Sequence, residues 1–132
     1  MTELANAYFR LFHRKRDYQW AEDTVEKVFE QNSASALAMT LELIDSAPSI
    51  ETLEHVGAMQ LQKLCSLHGK EIFDQLKEAA QNNNRLLYAM KQFYLDNDNA
   101  IHSEYNAFVL EQSLHRDPAR LLNLPERLGA IQ

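Results

Sequence analysis

The sequence predicts an all-α fold: an irregular bundle or short stack of eight to nine helices, in a single domain spanning residues 1–132. Apolar residues recur at the 3.6-residue period of helices along almost the whole chain, and no stretch keeps the period of two that strands require. Only three Gly and three Pro are available for the turns of an all-β protein. With 132 residues, 45% hydrophobic and 24% charged, the chain has the length and composition of one globular domain.

The first four helices are predicted over 2–13, 18–31, 33–46 and 49–56. Asn32 or Ser33 is the expected N-cap of the third helix, and Pro48 follows its end. This helix has apolar residues on two sides, so we expect it to lie centrally in the bundle. Ser49 is the expected N-cap of the fourth helix.

Two glycines are interpreted as helix boundaries. Gly57 predicts a bend, because glycine inside a helix costs about 1 kcal/mol relative to alanine. Gly69, which follows His68, suits the left-handed position just after a helix. These two boundaries divide the next stretch into helices over 58–67 and 70–81.

Three more helices are expected to end near residues 95, 115 and 125, and residues 125–132 are expected to form a loose tail. The helix over 100–115 has apolar residues at these positions: Ile101, Tyr105, Phe108, Val109 and Leu114.

Cysteine content and hydropathy predict a cytoplasmic protein without a membrane partner. Cys65 is the only cysteine, so no internal disulfide can form. At the N-terminus the basic residues come after the apolar ones, which is the reverse of a secretory signal. No window approaches the 18 apolar residues that indicate a membrane span.

The charges are distributed unevenly along the chain. The formal net charge is −6. Residues 1–16 carry +3, residues 17–56 carry −8, residues 57–98 are neutral and residues 99–132 carry −1. The excess negative charge therefore lies almost entirely within residues 17–56, beginning with the second and third predicted helices.

The acidic helix 18–31 supplies the candidate partner-binding residues. Glu22, Glu26 and Glu30 repeat at i, i+4, a spacing at which like charges destabilise a helix, and Asp23 lies alongside them. Trp20 lies beside the acids and off the apolar stripe, where it can either anchor an interface or pack at a corner of the bundle. A solvated acidic surface and a docking site for a basic partner both remain open at this point.

A basic cluster near the N-terminus gives the alternative hypothesis, a nucleic-acid-associated regulator. The cluster consists of Arg10, Arg14, Lys15 and Arg16, which alternate with aromatic residues or follow them. Such a pattern can bind a phosphate backbone. The same residues also suit the positive charge preferred at a helix C-terminus. Because the next forty residues carry −8, we expect nucleic acid to be repelled by most of the protein.

No motif predicts an enzyme, a metal site or a cofactor. Cys65 and His68 lie at i, i+3, but the cysteine is surrounded by leucines and nothing nearby activates its thiol. The histidines have no metal-ligand spacing. We therefore expect a non-enzymatic protein with no cofactor, in which Cys65 is a buried thiol and His68 ends a helix.

Residues 57–69, GAMQLQKLCSLHG, resemble the central motif of a bacterial family of uncharacterised small all-helical domains, roughly A-A-G-P-L-E-D-L-L-x-x-H-G. Leu61, Leu64, His68 and Gly69 match the motif, and the resemblance extends over about residues 20–94. Met59-Gln60 replaces the family's Gly-Pro, and Gln62-Lys63 replaces its Glu-Asp. The resemblance implies an all-helical bacterial protein and no known activity.

The leading hypothesis is a protein-binding module, most concretely a bacterial immunity or antitoxin-like inhibitor. Such a protein would mask a basic partner, for example a toxin with a basic active site, through its acidic helical face. The identity of the partner and the oligomeric state are left open by the sequence.

Overall fold

The structure, a computed structural model, describes residues 8–9, 19–96, 98–118, 122 and 124–126, without the side chains of residues 19, 20, 22 and 29. These residues form helices and no strand, which confirms the all-α, single-domain prediction. A π-helical turn, Gly57–Leu61, joins the third helix to the fourth. The α-helices are α1 (Gln19–Gln31), α2 (Ser33–Ser46), α3 (Ile50–Val56), α4 (Gln62–Gln81), α5 (Asn84–Met90) and α6 (His102–His115).

The prediction of eight to nine helices is wrong. Residues 50–81 form one continuous helical segment, because α3, the π turn and α4 follow one another without a break. Between residues 19 and 115 the structure therefore has five helical segments, whereas the sequence predicted seven helices there. The first and last predicted helices, over 2–13 and near 125, fall almost wholly outside those ranges.

Both glycines interpreted as helix boundaries lie inside this continuous segment. Gly57 has right-handed helical angles, with φ −61° and ψ −52°. A Cβ on Gly57 would lie 3.0 Å from the Ala89 Cα and closer still to the Ala89 carbonyl oxygen. A Cβ on Gly69 would lie 2.9 Å from the Ile101 Cδ1. The absent side chains allow close packing against neighbouring segments, and no turn is formed.

The N-caps expected before α2 and α3 are confirmed. The Asn32 Oδ1 accepts a hydrogen bond from the Ser35 N–H at 2.8 Å. The Ser49 Oγ accepts from the Thr52 N–H, and the Thr52 Oγ1 accepts from the Ser49 N–H, both at 3.1 Å. These bonds satisfy backbone donors that a helix N-terminus leaves unpaired.

Helix α2 is central, as its two apolar sides predicted. It contacts α1, α3, α4 and α5. Its buried side chains form one broad face that joins the two apolar stripes: Ala36, Leu37, Met39, Thr40, Leu43 and Ile44. Burial of this kind provides most of the stability of helices that are marginal on their own.

Tyr105 attaches α6 to the rest of the core. Its hydroxyl donates a hydrogen bond to the Met90 carbonyl oxygen at 2.8 Å. Its ring stacks on Phe93 with ring centroids 5.1 Å apart and also contacts Phe73. Leu114, which the sequence grouped with these apolar residues, is instead exposed to solvent.

Two backbone segments from the ends of the chain reach the long helical segment. Tyr8 and Phe9 are helical and buried, and the Tyr8 hydroxyl accepts a hydrogen bond from the Gln60 Nε2 at 3.1 Å. The carbonyls of Pro125 and Glu126 accept from the Ile50 and Glu51 N–H groups at 2.8 and 2.9 Å, at the N-terminus of α3. Residues 127–132 of the expected loose tail lie outside the described residues.

Candidate protein-binding surfaces

Helix α1 presents an acidic face, which we define as Asp23, Glu26 and Glu30. The three residues are spaced at i, i+3 and i+7, which places their side chains on one side of a helix. All three are exposed, while Ala21 and Val25 on the opposite side are buried. The structure therefore brings together three of the five residues predicted to bind a partner.

The other two predicted partner-binding residues are placed only by their backbone. Trp20 and Glu22 belong to α1. Their side chains lie outside the described part of the structure.

Lys63 lies beside the acidic face. Its Nζ is 3.7 Å from the Glu26 Oε1, and both side chains are partly exposed. A solvent-exposed pair of this kind contributes only about 0–1 kcal/mol, because water and salt screen it. Lys63 therefore offsets little of the negative charge that Asp23, Glu26 and Glu30 present to solvent.

The basic cluster of the alternative hypothesis, Arg10, Arg14, Lys15 and Arg16, lies outside the described residues. Nucleic-acid binding through these residues stays a prediction.

Cys65 lies in surroundings that disfavour a reactive thiol. Cys65 is 1% exposed, and burial raises the pKa of its thiol from 9.0 to about 12, so the nucleophilic thiolate is scarce at neutral pH. The His68 Nδ1 lies 3.6 Å from the Glu71 Oε2. His68 was expected to end a helix, but it lies inside α4.

A metal centre also finds no support in the part of the chain that the structure describes. No group of three or more His, Cys, Asp or Glu side chains lies close enough there to hold an ion. Among the same residues, no helix has the length and apolar character needed to cross a bilayer.

A second surface, on α6, was not predicted from the sequence. Tyr94, Leu110 and Leu114 are 81%, 64% and 76% exposed. Tyr94 and Leu110 line a groove between α6 and the segment that follows α5. A signal for this surface is present in the sequence. Leu110 and Leu114 repeat at i, i+4 on the side of the helix away from Tyr105, so α6 is apolar on two sides.

No family model, curated protein or solved structure matches the chain. The resemblance of residues 57–69 to a family of small helical bacterial domains therefore stays a prediction.

Proposed function

We propose that this chain is a non-enzymatic binding protein that docks on a basic partner protein through its acidic face. The single observation that supports the proposal is the exposed row of Asp23, Glu26 and Glu30 on one side of α1. Like charges at i, i+3 and i+4 each cost a helix some 0.2–0.5 kcal/mol. Lysine or arginine side chains of a partner would relieve this repulsion.

The surroundings of the acidic face also favour recognition by charge. Glu26 forms an exposed ion pair with Lys63 at 3.7 Å, and an exposed pair of this kind is weak enough for a partner's cation to compete with it. Charge complementarity of this kind accelerates association and rejects acidic partners. The net charge of −6 extends the attraction beyond the contact itself.

The most concrete version of this function is an immunity or antitoxin-like inhibitor. A small helical protein with a concentrated negative face can cover a basic active site, such as that of a nuclease toxin, without any catalytic residue of its own. The step from an acidic docking face to an inhibitor rests on this chemical complementarity alone.

The proposal is tested with two charge-reversed variants as bait in the host's lysate. The first carries Glu26→Lys and Glu30→Lys on the acidic face. The matched control carries Glu71→Lys and Glu78→Lys, two exposed residues of α4, and changes the net charge by the same amount. Any captured protein is then purified and its affinity for each variant measured by calorimetry.

We expect wild type and the control to bind one basic protein with similar affinity, and the acidic-face variant to bind it about tenfold or more weakly, equivalent to about 1.4 kcal/mol. Equal affinity of all three chains would contradict the proposal. Equal weakening of both variants would show that net charge matters and the acidic face does not. Capture of nucleic acid by all three would favour the basic cluster instead.

A further inference from the structure

The groove on α6 is a second surface, independent of the acidic face. We name it the α6 groove and define it by Phe93, Tyr94, Val109, Leu110 and Ser113. Its volume is about 160 Å³ and its lining is mainly apolar. A cavity of roughly 150 Å³ holds a molecule the size of benzene, so the groove has room for one large apolar side chain.

An uncharged seam runs along α6 beside this groove. This seam consists of four exposed residues: Ser103, Ala107, Leu110 and Leu114. Their spacing of four, three and four residues is the spacing with which one helix packs along another. The α6 groove and the seam together form an open face suited to a helix, which would place its apolar side chains at i, i+3 and i+4.

The charges around this face are mostly negative. Glu104 and Glu111, on one flank of the seam, are exposed and take part in no ion pair within the described residues. Asp96 and Asp98 lie in a depression that also contains Tyr94, at the other edge. Lys91 is the cation that lines the groove. An occupant with basic residues beside its apolar stripe would complement this rim.

A second copy of this chain fits the rim less well. In a two-fold symmetric pair of antiparallel helices, the same flank of each helix faces its counterpart. Two copies of α6 would therefore oppose Glu104 and Glu111 of one chain to the same glutamates of the other, and this repulsion disfavours the pairing.

We propose that the α6 groove binds a basic amphipathic helix of a partner protein. One large apolar side chain of that helix occupies the groove between Tyr94 and Leu110. Its other apolar residues lie along the seam to Leu114, and its Lys or Arg residues face Glu104 and Glu111.

A designed peptide tests this proposal without knowledge of the natural partner. The probe is a fluorescein-labelled helical peptide of leucine and lysine, with leucines at i, i+3, i+4 and i+7. A second peptide has the same composition in scrambled order, and a third has glutamate in place of lysine. Binding is followed by fluorescence anisotropy with wild type, with the pair Leu110→Ser and Leu114→Ser, and with Met59→Ser and Leu67→Ser. The last pair removes two exposed apolar side chains that do not line the α6 groove.

We expect the amphipathic basic peptide to bind wild type and the Met59/Leu67 variant equally, and the Leu110/Leu114 variant about tenfold more weakly. The scrambled and acidic peptides should bind weakly to all three. Thermal unfolding followed by circular dichroism checks that each variant is folded, which is expected because all four side chains are exposed.

Two kinds of result would overturn the proposal. One is failure of the basic peptide to bind wild type, or equal binding to both double variants. The other is a wild-type dimer in sedimentation that becomes monomeric in the Leu110/Leu114 variant, since the occupant would then be a second copy. Equal binding to both double variants would instead place the basic peptide elsewhere, for example on the acidic face of α1, which all four substitutions leave intact.

Discussion

Helices α5 and α6 differ in what they leave exposed. Helix α5 has seven residues, and four of them are buried: Leu86, Leu87, Ala89 and Met90. Helix α6 has fourteen residues, of which Tyr105 alone is buried. A helix enclosed by others has its conformation set by the core, whereas a helix attached on one side keeps a surface for other molecules. The contrast locates stability around α5, and it leaves exposed surface on α6 and on α1, where we propose that binding takes place.

The largest expected effect concerns the packing of α5 against Gly57. Gly57→Ala should lower the free energy of unfolding by about 3 kcal/mol. The Cβ of the new alanine would clash with the Ala89 backbone, and backbone atoms cannot shift without disturbing α5. Gly69→Ala should change the free energy of unfolding by less than about 1 kcal/mol. The Cβ there meets the flexible end of Ile101, and alanine favours the helix. Urea unfolding measures the free energy of unfolding of both variants. Equal losses of stability in the two variants would mean that Gly57 has no special packing role.

The next effect concerns the link between α5 and α6. Tyr105→Phe should cost about 1–2 kcal/mol, because it leaves the buried Met90 carbonyl without its hydrogen bond. Tyr94→Phe, at an exposed position, should leave stability within about 0.5 kcal/mol of wild type. If Tyr105→Phe lowers stability as little as Tyr94→Phe does, the hydrogen bond from Tyr105 to Met90 does not secure α6 to α5.

Two arginines cap the C-termini of other helices and allow a matched comparison. The Arg85 Nη1 donates to the carbonyls of Ile44, Asp45 and Ala47 at 3.3, 2.9 and 3.0 Å. Arg116, just after α6, donates to the carbonyls at the end of α4, including Gln81 at 2.9 Å.

Arg85→Ala should therefore cost about 1.5 kcal/mol and Arg116→Ala about 1 kcal/mol, in the range for hydrogen bonds from charged donors at partly exposed sites. Thermal unfolding of both variants checks the order. A larger loss for Arg116→Ala would reverse the inference that α5 is the more tightly integrated helix.

The smallest effect is a pH dependence at Tyr88 of α5. Burial, together with the hydrogen bond from its hydroxyl to the Glu54 Oε2 at 2.6 Å, raises the pKa of Tyr88 from 10.0 to about 12. The folded state therefore favours the neutral phenol. This contribution to stability is complete below pH 10 and is lost as the pH rises from 10 to 12.

Wild type should lose stability as the pH rises from 10 to 12, and Tyr88→Phe should remove the part of this loss that is due to Tyr88. The part due to Tyr105 should remain, because burial raises the pKa of Tyr105 well above 10.0. The measurement is the urea midpoint of wild type and variant across this pH range. If the urea midpoints of wild type and Tyr88→Phe fall in parallel as the pH rises, Tyr88 does not contribute to the pH dependence of stability.

The sequence predicted local structure better than the contacts between segments. The caps at Asn32 and Ser49 follow from side-chain chemistry within three residues, so short-range reasoning was enough. Gly57 does follow the predicted end of α3 at Val56, but neither glycine interrupts the helical segment. Glycine permits a turn or a close approach, and only the neighbour in space decides between them. Ala89 lies more than thirty positions along the chain from Gly57, and no local pattern names it.

The same limit applies to the candidate surfaces. The exposure of Asp23, Glu26 and Glu30 follows from helical spacing and charge, and it was predicted. The α6 groove depends on the path of the segment around Phe93 and Tyr94, where the helix expected to continue to residue 95 ends instead at Met90. Leu114 was listed with Tyr105 and the other apolar residues of this helix because apolar character alone does not tell which of two apolar sides meets the core.

The most direct test of the central claim, docking through the acidic face, is the association rate constant with the purified basic partner, measured by stopped-flow fluorescence at low and high salt. The account predicts that Glu26→Lys with Glu30→Lys slows association by about tenfold or more at low salt, and that high salt narrows the difference. The control with Glu71→Lys and Glu78→Lys should associate at nearly the wild-type rate. An association rate that is the same for both variants, or that does not change with salt, would contradict the claim.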